Sequence, residues 1–495
     1  MNQTLFNKNE ISIELSPLNS LSRINTGRPY GWNDYGLNPN VGYQQYLSSG
    51  VKSKWKFVTL NFQPEIYYNS NLKYDGFPDD LDSDQVTDRF QALNKGDYPE
   101  YFGRGNNFNV WWGQSKLALN YGAFEFKLST ENIWWGPGQW NALVFSNNAR
   151  SFPHLSINTV KPAKTFLGDF QGQLLIGSFK DSGLAPLINQ AYNDRYFKSF
   201  NGDFKYLNAI MISYNPKWVE GLHLGFTRTF QVYNDLRGNT FYDWFPVFEG
   251  FQKKNFFENG NTIDFDRNGR DQQVTIFGRY VSKKAKSELY FEFGKRDHNY
   301  SWREFLLNPE HARAFLLGFN KLFSLPNSGQ FIQVKSEITQ QQESINRYIR
   351  YPGLKGNNSW ATNTLARGFS NFGQAMGVGS GLGSNVQTIE ISKIKSFNKI
   401  GFMFERLENN QDFYYKAQLQ NTERKPWIDL SLAFLFDKQF DKILLSSKLQ
   451  VIRARNYQWQ LDPASTPDFP TGKNLTSVMG QVSAIYFWNK KNQER

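Results

Sequence analysis

The chain has 495 residues, no cysteine and four histidines, and its 56 Lys and Arg residues against 44 Asp and Glu residues give a formal charge of +12. The missing cysteines exclude disulfides, thiolate nucleophiles and thiolate metal sites, and the histidines lack the short spacing of a helical zinc pair. Although 17% of the residues are aromatic, no apolar run approaches the about 20 residues that a membrane-spanning helix needs.

The positive charge is spread along the chain. Lys and Arg residues do not gather into a stripe, and no nucleic-acid-binding motif accompanies them, so we expect no nucleic-acid partner. Attraction to an acidic polysaccharide or to lipopolysaccharide fits the same charge. We predict no cofactor, no metal site and no catalytic residue.

The start of the chain, residues 1–50, shows no clear alternation of apolar and polar residues. We predict that it forms an N-terminal periplasmic or plug segment. Its polar beginning lacks the charged and apolar regions of a signal peptide, which we expect to have been removed from this numbering. We therefore expect the protein to be secreted, although no signal peptide is visible in the sequence.

Alternation with period two follows and recurs to the end of the chain, which predicts strands whose successive side chains point to opposite faces. Within residues 57–68, Val58 and Leu60 share one face, whereas Thr59 and Asn61 share the other. The same division recurs in residues 124–131, 288–293, 429–437 and 478–488.

Two architectures fit this pattern, because a soluble sandwich and an outer-membrane barrel both have strands with one apolar and one polar face. Charged residues on many polar faces and aromatic residues at strand ends favour the barrel. Such aromatic pairs are Trp111 and Trp112, Trp134 and Trp135, and Tyr486 and Trp488. We predict an all-β fold, a transmembrane antiparallel β-barrel of about 18 strands over residues 51–495, in the bacterial outer membrane.

Long polar stretches separate several predicted strands, at residues 69–109, 181–205, 234–271 and 344–384. Loops of this length are unusual in soluble domains and ordinary on the outer side of barrels. We expect recognition to occur there.

The most distinctive local string is Trp134-Trp135-Gly136-Pro137-Gly138, followed by Trp140, Asn147, Asn148 and Arg150. Ring faces can cover the apolar faces of sugars, while amides and a guanidinium meet hydroxyls and uronates. We therefore select Trp134, Trp135, Trp140, Asn147, Asn148 and Arg150 as candidate ligand-binding residues. The alternative is a Trp girdle followed by a tight turn without a ligand, and the sequence does not say which end of the barrel carries the turn.

This string also resembles the capsule assembly protein family named Wzi, and the resemblance spans residues 15–460. Further strings that resemble the family are Arg28-Pro29-Tyr30-Gly31-Trp32, Pro216-Lys217-Trp218, Asn308-Pro309-Glu310-His311, Phe404-Glu405-Arg406 and Asn410-Gln411-Asp412-Phe413. The resemblance implies a closed barrel that binds capsular or exopolysaccharide at the cell surface without catalysis. The identity of the polysaccharide does not transfer.

Two other functions stay open at this point. One is a channel or transporter whose lumen charges select a solute. The other is a barrel that anchors a surface secretion or motility complex and has partner proteins. Outer-membrane lipid and lipopolysaccharide are expected partners in every case.

Overall fold

The computed structural model describes residues 2–8, 10–200, 202–250, 269–296, 309–326, 329–343, 359–417 and 423–488. The strands are β1 (Gln3–Lys8), β2 (Ile11–Leu15), β3 (Leu18–Asn25), β4 (Gly42–Ser48), β5 (Val51–Trp55), β6 (Val58–Phe62), β7 (Glu65–Asn69), β8 (Asn107–Trp111), β9 (Lys116–Tyr121), β10 (Phe124–Ser129), β11 (His154–Thr159), β12 (Ala163–Lys164), β13 (Gly168–Phe179), β14 (Lys205–Pro216), β15 (Leu222–Tyr233), β16 (Asp271–Ser282), β17 (Ser287–Arg296), β18 (Arg313–Ser324), β19 (Phe331–Gln340), β20 (Ser370–Asn371), β21 (Gln374–Ala375), β22 (Asn385–Lys395), β23 (Asn398–Glu408), β24 (Ile428–Gln439), β25 (Ile443–Arg455) and β26 (Leu475–Tyr486). The helices are α1 (Ser83–Leu93), α2 (Gln190–Tyr196), α3 (Phe241–Trp244) and α4 (Gln411–Ala417), with 3-10 turns at Asn234–Leu236, Pro246–Phe248 and Tyr457–Trp459. None of these helices is long and apolar enough to cross a bilayer.

The large sheet returns to its beginning. From β9 onward each strand pairs antiparallel with the next one in the sheet, and β26 pairs with β3. The first strands are interrupted: β2 and β3 pair with β5 and β4, which pair with β6 and β7, which pair with β9 and β8. Counting each interrupted strand once, four such spans and the fourteen spans from β10 to β26 form a ring of 18 among the described residues. The prediction of an antiparallel barrel of about 18 strands is confirmed.

The outer surface of the barrel is apolar and its inner surface is polar. Along β24, Leu432 and Phe434 are exposed, whereas Ser431, Ala433 and Asp429 are buried. The same alternation holds in β10, where Phe124 and Phe126 are exposed, and in β17, where Leu289 and Phe291 are exposed. In a closed ring an exposed apolar face contacts lipid, because the buried faces point to the interior.

A charge placed on the lipid-facing surface tests this orientation. We expect Leu432→Arg, at a side chain that is 56% exposed near the middle of its strand, to lower the free energy of unfolding by about 2–4 kcal/mol. Tyr121→Arg is the matched control, since Tyr121 is 87% exposed at the strand end beside a short turn and the expected cost near the interface is about 0–1 kcal/mol. Urea unfolding in lipid vesicles measures both. Equal costs at the two positions would contradict the lipid-facing assignment.

The two ends of the barrel differ in their connections. Short turns, such as residues 122–123 and 396–397, close one end. The connections at the other end are long and include residues 26–41, 70–106, 130–153, 180–204, 234–270, 341–384, 409–427 and 456–474. Because bacterial barrels have short periplasmic turns and longer extracellular loops, we assign the long-loop end to the cell exterior. The four predicted long loops are all at this end, although residues 251–268 and 344–358 lie outside the described residues.

The predicted N-terminal segment, residues 1–50, needs correction. Strands β1 to β4 lie within it and belong to the sheet, so the predicted boundary at residue 50 falls between β4 and β5, the two parts of one interrupted strand. Their alternation was hard to recognise because Pro17 and Gly50 interrupt the strands. Only residues 26–41 leave the wall, and they turn into the barrel, where Tyr30 and Leu37 are buried.

The interior is filled near the long-loop end. Residues 130–153, which we call the inward segment, fold into the barrel together with residues 359–384. Their side chains form a buried cluster with residues on the inner strand faces: Ile133, Trp135, Leu143, Val144, Phe145, Ala149, Phe152, Leu175, Phe179, Leu207, Ala209, Tyr290, Ala314, Leu316, Trp360, Phe369, Met376 and Val378.

A second cluster lies beneath the helices at the outer mouth. Helix α1 begins at a capping box in which the Asp82 side chain accepts the N–H of Gln85, an arrangement that satisfies donors at a helix N-terminus. Val86, Phe90 and Leu93, spaced four and three residues apart, therefore share one face. This face is buried against Phe77, Leu187, Phe413 and Trp459.

Candidate functional site

The predicted ligand-binding residues do not form one site. Trp134, Trp140 and Asn147 line a cavity of about 310 Å³ inside the barrel. We call it the inner cavity, and its walls are completed by Tyr30, Gly31, Trp32, Asn33, Asp34, Gln139, Met403, Glu405, Lys448 and Gln481.

The other three predicted residues have structural contacts. Trp135 is 4% exposed, belongs to the interior cluster and donates from Nε1 to Gln173 at 3.0 Å. Asn148 is buried and donates to the carbonyl of Ala375 at 2.8 Å. The Arg150 guanidinium lies over the rings of Tyr67, Trp111 and Phe372 at 5.0–5.9 Å, and its burial lowers its pKa.

Two carboxylates from the barrel wall hold the inward segment. The backbone N–H groups of Gln139, Trp140 and Asn141 donate to the Glu337 carboxylate at 2.6, 3.2 and 2.9 Å. The N–H of Leu143 donates to Glu292 at 2.9 Å. These four backbone hydrogen bonds join the segment to the wall.

The Glu292 carboxylate also explains the Gly-Pro-Gly turn. Gly136 has φ +108°, and a Cβ at this position would collide with the Glu292 carboxylate. Glycine is therefore required both for the backbone conformation and for the close approach. The turn starts at the long-loop end and is directed into the barrel, which the sequence left undecided.

A second cavity, of about 250 Å³, opens among the long loops and is called the outer cavity. Its aromatic walls are Tyr30, Trp32, Tyr74, Tyr98, Trp427, Tyr457 and Trp459. Its amides are Asn409, Asn410 and Gln458, and its ionisable side chains other than tyrosine are Arg28, Arg89 and Glu100. Leu407, which lines this cavity, is the next-to-last residue of β23 and lies at the outer end of that strand.

The aromatic side chains of the outer cavity support one another. Trp427 contacts Tyr457 and Trp459 edge to face, with ring centroids 5.3 and 5.6 Å apart. Its Nε1 donates to Asp429 at 3.0 Å. The Arg28 guanidinium donates to both oxygens of Asp429 at 2.7 Å and lies 4.9 Å from the Trp427 ring. The rings are thus held in place before any ligand arrives.

Arg89 is the unpaired cation of the outer cavity. Its Nε and Nη1 are buried without a hydrogen-bond partner among the described residues. The guanidinium lies 5.4–5.7 Å from the rings of Phe77, Phe413 and Trp459. Burial lowers the pKa of Arg89 to about 10, so the group is charged at neutral pH.

Glu100 does not neutralise this cation by direct contact. Its carboxylate accepts the backbone N–H groups of Phe77 and Ile188 at 2.7 and 3.1 Å and the Gln458 amide at 3.0 Å. Burial raises the pKa of Glu100. Glu100 thus attracts the Arg89 cation from nearby but forms no hydrogen bond with it among the described residues.

The outer cavity was missed as a site from the sequence because its residues come from separate connections. Residues 26–41, 70–106, 409–427 and 456–474 contribute to it, so no local string contains it. The available signal was the presence of Trp and Tyr in polar loops such as Trp427 and Tyr457. Within the described ranges, no group of three or more His, Asp or Glu side chains is arranged to hold a metal ion.

The chain is similar to known proteins in sequence and in fold. A family model described as capsule assembly protein Wzi matches residues 25–460. The solved structure of Wzi from Escherichia coli, an outer membrane protein involved in group 1 capsule assembly and a carbohydrate-binding β-barrel, shares 11% identity with this chain, covers 95% of it and 85% of its own chain, and gives a TM-score of 0.59. No curated protein matches the sequence.

Two other matching structures are proteins of the Occ type. OccAB4 from Acinetobacter baumannii has 8% identity, covers 97% of this chain and 98% of its own, and gives a TM-score of 0.42. OccD3 from Pseudomonas aeruginosa has 10% identity, covers 96% of this chain and 91% of its own, and gives a TM-score of 0.43.

The family match confirms the resemblance stated from the sequence and, with the fold, the predicted place in the bacterial outer membrane. It includes the inward segment and most residues of both cavities. The chain belongs to the capsule assembly protein Wzi family.

Proposed function

We propose that the protein binds capsular or exopolysaccharide at the cell surface, through the outer cavity, and catalyses no reaction. The observation that carries the proposal is the set of aromatic rings, amides and an unpaired arginine at the long-loop end. Aromatic faces cover the apolar faces of pyranoses, amides meet hydroxyls, and a guanidinium meets a carboxylate. Wzi of Escherichia coli, which shares this fold, is a carbohydrate-binding barrel.

The filled interior supports binding over diffusion. The buried cluster of the inward segment joins side chains on the inner faces of β13, β14, β17 and β18. This packed cluster fills part of the cross-section of the barrel, beside the inner cavity. A wide open pore is therefore a weaker candidate, and nothing in the described residues favours a scaffold role.

The apolar outer surface is proposed to contact outer-membrane lipid, and basic residues of the outer loops are proposed to contact lipopolysaccharide. Partner proteins of a surface assembly are not required for this function. The predicted site residues Trp134, Trp140 and Asn147 are assigned to the inner cavity, and Trp135, Asn148 and Arg150 to structural contacts.

The proposed function is tested in cells and with the purified chain. We expect a deletion strain to release its polysaccharide into the medium and the purified barrel to bind that polysaccharide. Retention of the polysaccharide at the wild-type level, together with the absence of binding to any polymer of the host, would exclude the proposal.

Arg89 provides a charge-specific prediction. We expect Arg89→Gln to weaken binding of an acidic polysaccharide about ten- to hundredfold, since a hydrogen bond to a charged group contributes about 1.5–3 kcal/mol. Titration calorimetry measures the change. Arg104→Gln, at an exposed arginine of the same connection, is the control and should leave the affinity unchanged. Equal losses for the native and the carboxyl-reduced polymer would show that Arg89 acts through packing and not through charge.

A further inference from the structure

The inner cavity is separate from the outer cavity and lies deeper in the barrel. Residues 30–32 line both and form the wall between them. The inner cavity is bounded by Met403, Lys448 and Gln481. Each of these lies five residues from the short-turn end of its strand, at Asn398, Ile443 and Tyr486. All three lie near the middle of their strands, so the inner cavity reaches from the long-loop end to the middle of the barrel.

The wall between the cavities is fixed. The Tyr30 hydroxyl donates to Glu405, and Arg23 pairs with Asp34. The Asn33 amide donates to the carbonyl of Trp140. These bonds join residues 30–34 both to the strands and to the inward segment, so the inner cavity has a defined shape.

Polar groups without partners face this space. The Lys448 ammonium is attracted by the nearby Glu405 and Glu390 carboxylates and makes no direct hydrogen bond or ion pair with the part of the chain that the structure describes. Oδ1 of Asn33 is buried and has no hydrogen-bond partner. The nearby Glu405 carboxylate is already engaged by Tyr30, Thr388 and Gln450. A polar ligand or water in the cavity can supply a partner to the half-buried Lys448 ammonium and to Asn33 Oδ1, whose burial without one is costly.

The remaining lining matches a sugar ring. Trp32, Trp134 and Trp140 present aromatic surface, and Gln139 and Asn147 present amides. A volume of about 310 Å³ is at the lower end of small-molecule sites, which are commonly about 300–1,000 Å³. The space therefore suits a short saccharide unit and excludes a long folded segment.

We propose that the inner cavity is a second saccharide site, deeper in the barrel than the outer cavity, which takes a pyranose bearing a carboxylate and binds that carboxylate through Lys448. The proposal rests on the proposed function only for the choice of saccharide as ligand class. A site on each side of residues 30–32 allows the barrel to hold sugar units in the inner cavity and the outer cavity at once.

The test uses the full chain in detergent, with D-glucuronate and methyl α-D-glucopyranoside as the acidic and neutral ligands. Saturation-transfer NMR measures binding in the Trp427→Ala background, where the outer cavity is impaired. We expect glucuronate binding to persist there, to exceed that of the neutral glycoside, and to fall at least tenfold when Lys448→Met is added. Lys448→Arg should restore it. Heat-modifiable migration in gels confirms that each variant is folded.

Other results would overturn the inner site. If Trp427→Ala alone abolishes glucuronate binding, or if Lys448→Met leaves it unchanged, the inner cavity is not a saccharide site, whereas the function of the outer cavity stands. Equal binding of the two ligands would overturn the carboxylate assignment. If Trp427→Ala does not weaken binding of the polysaccharide, the proposed function of the outer cavity is contradicted, whereas this inference stands.

Discussion

Replacing Glu337 with leucine is expected to detach the inward segment from the barrel wall. The carboxylate accepts three consecutive backbone N–H groups, of residues 139–141, and the Tyr290 hydroxyl at 3.0 Å. Leucine would leave three N–H groups without this acceptor, one of them buried and two part-buried, at up to about 1–3 kcal/mol each. We expect a local loss of about 3–6 kcal/mol, while the sheet hydrogen bonds keep the barrel itself folded.

Two measurements follow the detachment. Hydrogen exchange of residues 139–141 should accelerate by several orders of magnitude, because local opening then costs less free energy. Ion conductance in planar bilayers should rise, since the segment fills the interior. Glu337→Gln is the matched control: it keeps one acceptor oxygen and the side-chain shape, so we expect a smaller effect. If Glu337→Leu leaves both exchange and conductance unchanged, the segment is held by packing alone.

The membrane fold could be predicted from the sequence because period-two alternation is a local property. Leu432 and Ala433, or Phe404 and Glu405, are adjacent in the chain and lie on opposite faces of the wall. Long polar stretches likewise mark one end of the barrel wherever they occur. The alternation is broken where a strand is interrupted, as at Pro17. For this reason the predicted N-terminal segment, residues 1–50, includes strands of the barrel wall.

The arrangement of the interior could not be predicted because distant residues determine it. Gln139 is bound by Glu337, which lies 198 positions later, and Gly138 contacts Glu292, 154 positions later. Without these carboxylates the string from Trp134 reads equally well as a surface turn. The outer cavity has the same property, since Arg28, Arg89, Trp427 and Trp459 come from four connections. Only the closed ring brings them together.

Trp427→Ala is expected to weaken polysaccharide binding strongly. Trp427 is half-buried on the wall of the outer cavity, where Arg28, Tyr457 and Trp459 hold its ring. A rigid, preorganised aromatic of this kind typically contributes about 2 kcal/mol or more to binding, so we expect a decrease in affinity of about 30-fold. Calorimetry with the host polysaccharide measures it.

The controls separate stacking from folding. Trp427→Phe keeps a ring and loses the hydrogen bond to Asp429, so it should retain most of the affinity. Trp112→Ala removes an exposed tryptophan that contacts Phe62 on the outer surface, and it should leave binding unchanged. Arg28 also donates to both oxygens of the Asp429 carboxylate. Removal of the indole therefore leaves that carboxylate paired and the wall intact. A loss of affinity in Trp427→Ala that Trp427→Phe shares in full would assign the effect to Asp429 instead of the ring, and the sugar platform would then have to be sought on Trp32 and Tyr98.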